Sequence, residues 1–89
     1  MKSRTSKSFR DRYRSLPLEV RKLARRAYRQ WLHDPYQPAL QFKRIYAARP
    51  IYSVRIGLHW RALGVLEDDT IIWSWIGSHA EYDRILSSR

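Results

Sequence analysis

The stretch YSVRIGLHWRALGVLEDDTIIWSWIG, residues 52–77, reads as three antiparallel strands joined by two short turns. Ile51–Ile56 alternates apolar and polar side chains, with Tyr52, Val54 and Ile56 on one face and Ser53 and Arg55 on the other. Gly57-Leu58-His59 has the length and the glycine of a three-residue hairpin loop. With that loop Ile56 pairs with Trp60, and Arg55 falls opposite Arg61. A second strand then covers Trp60–Leu66, and a third covers Thr70–Ile76 after the acidic turn Asp68-Asp69. A two-residue turn there sets Trp73 opposite Gly64 and Trp75 opposite Ala62, large rings over small residues as a packed layer requires. The apolar face then carries Trp60, Leu66, Ile71, Trp73 and Trp75. The arginine-bearing face carries Leu63, Val65, Ile72, Ser74 and Ile76.

Outward from this core, Leu40–Ile45 reads as a further, preceding strand. Two helices come before it. Ser6–Ser15 repeats Phe9, Tyr13 and Leu16 at helical spacing, and Pro17 separates it from Leu18–His33. The second helix has an apolar stripe of Val20, Leu23, Ala24, Ala27, Tyr28 and Trp31. Its opposite face is cationic, with Arg21, Lys22, Arg25, Arg26 and Arg29. Asp34-Pro35 ends it. After Gly77, Ser78 and Glu81 have the spacing of a capping box for a short final helix bearing His79 and Tyr82. The expected architecture is α+β: a single domain over residues 1–89, with two N-terminal helices packed on a four-stranded antiparallel sheet and a short C-terminal helix.

The 89 residues hold 18 Lys+Arg against 8 Asp+Glu, a formal net charge of +10. Such an imbalance repels itself and attracts polyanions, so nucleic acid and acidic proteins are the natural partners. With no cysteine, disulfides and thiolate metal sites are excluded, which suits a reducing cytoplasm. No apolar run reaches the ~20 residues that span a bilayer, so no membrane is expected. Three scattered histidines without paired carboxylates suggest no metal, and no other cofactor motif is present.

Like charges directly opposite across a strand pair are destabilising, so Arg55 facing Arg61 calls for a bound anion. Guanidinium groups grip phosphate through paired hydrogen bonds. His79 stands in the first turn of the last helix, where the helix dipole attracts anions and where a histidine can act as a general acid or base. Tyr82, three residues on, shares its face and can stack, donate to phosphate or take part in proton transfer. Lys43 and Arg44 on the early strand and Arg49 in the next loop extend the basic surface toward backbone phosphates.

Tyr52-Ser53-Val54-Arg55-Ile56-Gly57, then Trp60-Arg61, the acidic turn Glu67-Asp68-Asp69, and Gly77-Ser78-His79-Ala80-Glu81-Tyr82 occur in an order that resembles the RelE/ParE superfamily of toxins from type II toxin–antitoxin systems. The resemblance extends over nearly the whole chain. It implies a ribosome-dependent mRNA endoribonuclease that inhibits translation, in which a 2′-hydroxyl attacks the adjacent phosphate to leave a cyclic phosphate. On that pattern Arg61 stabilises the transition state, His79 is the acid or base and Tyr82 the C-terminal tyrosine; the family's early-strand lysines are met only by Lys43. The implied partners are mRNA on the ribosome, with rRNA contacts through the basic surface, and a cognate acidic antitoxin. The antitoxin is expected to cover Leu63, Val65, Ile72 and Ile76. ParE-like members share the fold but inhibit DNA gyrase without nuclease activity, and a catalytically inactive member is a further alternative.

Overall fold

The computed structural model describes residues 1–88; Arg89, the last residue of the expected domain, lies outside them. The elements run β1 (Lys2–Thr5), α1 (Lys7–Arg14), α2 (Leu18–His33), a 3₁₀ turn at Pro38–Leu40, β2 (Lys43–Arg44), β3 (Ile51–Ile56), β4 (Trp60–Glu67), β5 (Thr70–Ser78) and α3 (His79–Ser87). The sheet has five strands in the order β1-β5-β4-β3-β2. β1 runs parallel to β5, and all other pairs are antiparallel. The expected four-stranded antiparallel sheet is thereby corrected to a five-stranded mixed one. Lys-Ser-Arg-Thr has no apolar alternation to announce a strand; what holds β1 is its backbone pairing with Thr70–Trp73.

The expected strand at Leu40–Ile45 shrinks to Lys43–Arg44. Pro38–Leu40 closes a 3₁₀ turn instead, and Gln41 then takes a left-handed φ of 46°. The hairpin geometry follows the sequence reading: Gly57 has φ +59°, Ile56 pairs with Trp60 and Arg55 with Arg61. Asp68-Asp69 is the two-residue turn, with Glu67 paired to Thr70.

A bulge alters the far half of β5. Gly64 pairs with Trp73, but Leu63 pairs with Trp75, so Ser74 is the extra residue. One inserted residue reverses the facing of everything beyond it. Ile76, expected on the arginine face, is fully buried in the core opposite Ala62, and Trp75 turns to the arginine face.

The core lies between the sheet and α2. Val20, Ala24, Ala27 and Trp31 are the buried residues of α2, and the two alanines let its backbone approach the sheet. Trp31 meets Trp73 and Phe42 edge-on, with ring centres 5.5 and 5.7 Å apart. Leu23 and Tyr28 flank the buried stripe and stay about two-fifths exposed. Gly64 is required where it stands, since a Cβ there would come within 2.9 Å of Ile71 and Trp73.

α1 starts at an N-cap, the Ser6 side chain accepting from the Phe9 N–H, and then runs beside the part of β5 that β1 leaves unpaired. Ser8 Oγ donates to the Ser74 carbonyl and Arg12 Nε to the Ile76 carbonyl, at 3.1 and 2.7 Å. The exposed strand edge is thus satisfied by side chains rather than by another strand.

Candidate functional site

Cross-strand pairing places the site residues in two rows on the sheet face away from α2. One row is Arg55, Arg61 and Gly77; the other is Lys43, Ser53, Leu63 and Trp75. α3 crosses this face. Its capping box is complete: the Ser78 hydroxyl accepts from the Glu81 N–H, and Glu81 Oε1 accepts from the Ser78 N–H, both at 3.1 Å. The His79 N–H donates to the His59 carbonyl at 2.6 Å, tying the start of the helix to the β3–β4 loop.

This geometry brings Arg61, His79 and Tyr82 together. Tyr82 is only 6% exposed and its hydroxyl lies 3.3 Å from Ser53 Oγ. The Arg61 guanidinium carbon sits 5.9 Å from the Tyr82 ring centre, a cation–π contact. The His79 ring meets the same tyrosine edge-on at 6.1 Å. Tyr82 is therefore a buried platform with the two polar groups on either flank. His79 Nδ1 lies 3.2 Å from the Asp83 carboxylate. That contact orients the imidazole and leaves Nε2 as the nitrogen available to a substrate.

Arg61 donates to the Trp60 carbonyl and Arg55 to the Gly57 carbonyl, which fixes both stems while each guanidinium keeps unused donors. Partial burial first, and the facing Arg55 second, hold Arg61 below the usual arginine pKa, while Tyr82 and Asp83 act in the opposite sense. Two cations held side by side in this way favour an anion between them.

The remaining candidates divide. Lys43 lies on the arginine face, beside Ser53, and is exposed. Arg44 points elsewhere in function: its guanidinium donates to the carbonyls of Tyr46, Ala47 and Arg49, holding the β2–β3 loop in shape. Arg49 is exposed in that loop. Sequence reasoning missed Asp83, although its i,i+4 spacing from His79 was visible, and missed Ser53, which reads as an ordinary strand serine. Among the described residues no group of His, Cys, Asp or Glu could hold a metal ion, and no helix is long and apolar enough to cross a membrane.

The expected antitoxin surface is also revised. Leu63 is buried and Ile76 faces the core, so Leu63, Val65, Ile72 and Ile76 do not form one exposed apolar patch. The open apolar surface lies on the other side, in a cleft of about 460 Å³ between α1, α2 and the sheet. Phe9, Tyr13, Trp31, Val54, Ile56 and Ile76 line it, and Arg10, Arg14 and Arg25 stand around it.

A family model described as a ParE-like toxin domain matches residues 18–84. No curated protein sequence matches the chain. Among solved structures it is similar to the RelB-RelE antitoxin-toxin complex of Methanococcus jannaschii, with a TM-score of 0.70 at 21% identity over 90% of this chain and 95% of that one. The archaeal RelE-RelB complex of Pyrococcus horikoshii OT3 gives 0.67 at 13% identity, over 86% of this chain and 92% of that one. The intact E. coli RelBE toxin-antitoxin complex gives 0.65 at 14% identity, over 85% and 93%. The shared feature at these identities is the fold.

Proposed function

The chain belongs to the ParE-like toxin domain family, within the RelE/ParE superfamily, and from that membership we propose that it is the toxin of a toxin–antitoxin pair, acting as an endoribonuclease on mRNA in the ribosome. The observation that carries the reading is Arg55 paired with Arg61 beside a buried Tyr82 that also carries His79. A surface that only binds a partner gives no reason for two facing arginines and an Asp-oriented histidine to converge.

Cleavage needs no metal in this scheme. The ribose 2′-oxygen forms a bond to the adjacent phosphorus, and the bond from phosphorus to the 5′-oxygen breaks. The products are a 2′,3′-cyclic phosphate and a 5′-hydroxyl. Arg61, with Arg55 beside it, faces the extra negative charge of the five-coordinate phosphorus. His79, held by Asp83, takes the proton of the attacking 2′-hydroxyl while water protonates the leaving 5′-oxygen, or donates to the leaving oxygen while water takes the first proton. Tyr82 holds both groups at one distance rather than moving a proton, because its hydroxyl is turned toward Ser53. Lys43 and Arg49 add phosphate contacts at the margin. The setting is the cytoplasm, where ribosomes translate.

The partner is an acidic antitoxin. Three of the structural neighbours are toxins crystallised with theirs, and the arginine-rimmed apolar cleft suits an acidic amphipathic helix. Co-expression with the product of an adjacent small reading frame should yield a complex, which Arg10→Glu, Arg14→Glu and Arg25→Glu together should weaken.

The decisive experiment is induced expression followed by primer-extension mapping, with a gyrase cleavage assay in parallel. Ribonuclease action leaves transcripts cut within codons with 5′-hydroxyl ends, and His79→Ala should slow cleavage by about 10²–10⁴. Intact mRNA together with DNA breaks would replace this reading with a gyrase inhibitor.

A further inference from the structure

We infer that Arg12, on α1, is a positioning residue for the site on the opposite sheet face, fixing where α3 begins and so where His79 and Tyr82 stand against Arg61. This rests on the ribonuclease reading for its effect on chemistry, but its structural part stands alone.

Arg12 reaches around the open edge of β5 and joins three groups. Its Nε donates to the Ile76 carbonyl at 2.7 Å, and its Nη2 to Glu81 Oε2 at 3.1 Å. Its guanidinium carbon lies 5.1 Å from the Trp75 ring centre. Glu81 is shared: Oε1 closes the capping box at Ser78 while Oε2 takes Arg12. One carboxylate therefore locks the first turn of α3 to the strand before it and to α1. Only a planar fork with donors on two sides can bond a carbonyl and a carboxylate while stacking on a ring, and a lysine ammonium cannot.

The clamp also sits in the row that carries the chemistry. Gly77 pairs with Arg61, and a Cβ on Gly77 would come 2.5 Å from the Trp75 ring and 3.0 Å from Arg12 Nη2. Trp75 and Arg12 thus occupy the space above the residue opposite Arg61. His79 leaves the sheet two residues later. α3 has only nine residues, and a helix that short is marginal alone. Its placement depends on what ties its first turn.

Arg12→Ala is expected to lower kcat for ribosome-dependent mRNA cleavage on the order of 10²-fold, the scale of a misplacement near 1 Å, with KM unchanged. Amides of α3 should exchange at least tenfold faster, while those of β3 and β4 keep their protection. Glu81→Gln keeps the capping acceptor but loses the charge toward Arg12, so it should act in the same direction, and the double variant should be no worse than Arg12→Ala. Lys7→Ala, on the same helix, serves as the control. A phosphate contact would behave differently: Arg12→Ala would raise KM, and Arg12→Lys would restore activity. That result overturns the inference, as does unchanged α3 exchange or unchanged kcat in Arg12→Ala. If the wild-type chain cuts no mRNA while Arg12→Ala still loosens α3, the clamp stands and the ribonuclease reading falls.

Discussion

On the α2 side of the sheet, Trp73 lies over Gly64 and meets Trp31 edge-on; on the other side, the Arg61 guanidinium lies over Tyr82 and that of Arg12 over Trp75. Both sides stack flat groups on aromatic rings. The first side stacks rings on rings and buries them at the floor of the cleft between α1 and α2, with Trp31 1% exposed. Among the described residues its buried indole N–H groups on Trp31 and Trp73 have no hydrogen-bond acceptor. The second side uses cations, stays partly open and keeps spare donors. On the proposed function, stability is concentrated on one face and reactivity on the other.

The widest separation between the faces should appear at Trp31. Trp31→Ala removes the central ring of the core and should cost about 3–5 kcal/mol by denaturant unfolding. A loss below about 1 kcal/mol would show that the α2 face is not the main source of stability. Arg61→Ala should do the reverse: cleavage falls by about 10²–10³, or roughly 2.7–4 kcal/mol of barrier, with stability changed by about 1 kcal/mol at most. Removal also relieves the repulsion from Arg55 and the burial that hold Arg61 below its usual pKa. Equal damage to folding and to cleavage would erase the distinction.

Gly64→Ala tests how tightly the α2 face is filled around Trp73. Its new methyl meets Ile71 and Trp73 at 2.9 Å, and forcing them apart should cost about 1–3 kcal/mol while cleavage per folded molecule is unchanged. The smallest expected effect is the pH response of Glu81. The Ser78 N–H first, then the Ser78 hydroxyl and Arg12, hold its carboxyl below the usual glutamate range. A depressed folded pKa contributes stability above the unfolded value and loses it as pH falls, so this contribution should fade below about pH 4.3. Glu81→Gln should flatten that part of the acid unfolding curve relative to wild type, and an unchanged curve would show the carboxylate to be indifferent.

The two faces also differed in how plainly the sequence displayed them. Alternation in Ile51–Ile56, the Gly57 loop and the Asp68-Asp69 turn are local signals, and they set the pairing of Arg55 with Arg61 correctly. Ser78 with Glu81 marked the start of α3 for the same reason. The bulge at Ser74 had no local signature, because a serine between two tryptophans fits plain alternation equally well; Trp75 and Ile76 were therefore assigned to the wrong faces. Arg12 reaching Glu81 and Tyr82 reaching Ser53 are contacts between distant parts of the chain, which periodicity does not reveal. The cleft is likewise a property of two helices and a sheet together, not of any one segment.

β1 has a consequence for how the molecule is made. Lys2–Thr5 pair with Thr70–Trp73, so this edge of the sheet joins segments separated by most of the fold and cannot form before β5 is made. The α1 side chains of Ser8 and Arg12 likewise wait for the Ser74 and Ile76 carbonyls. Contacts of such long sequence separation form slowly, since the loop between them must close first. A nascent chain halted before β5 has no wall to its cleft and no anchor for α3. Folding order therefore keeps the cationic face unassembled until β5 has been made, and any truncation ahead of Thr70 should yield a product with neither a cleft nor a clamp.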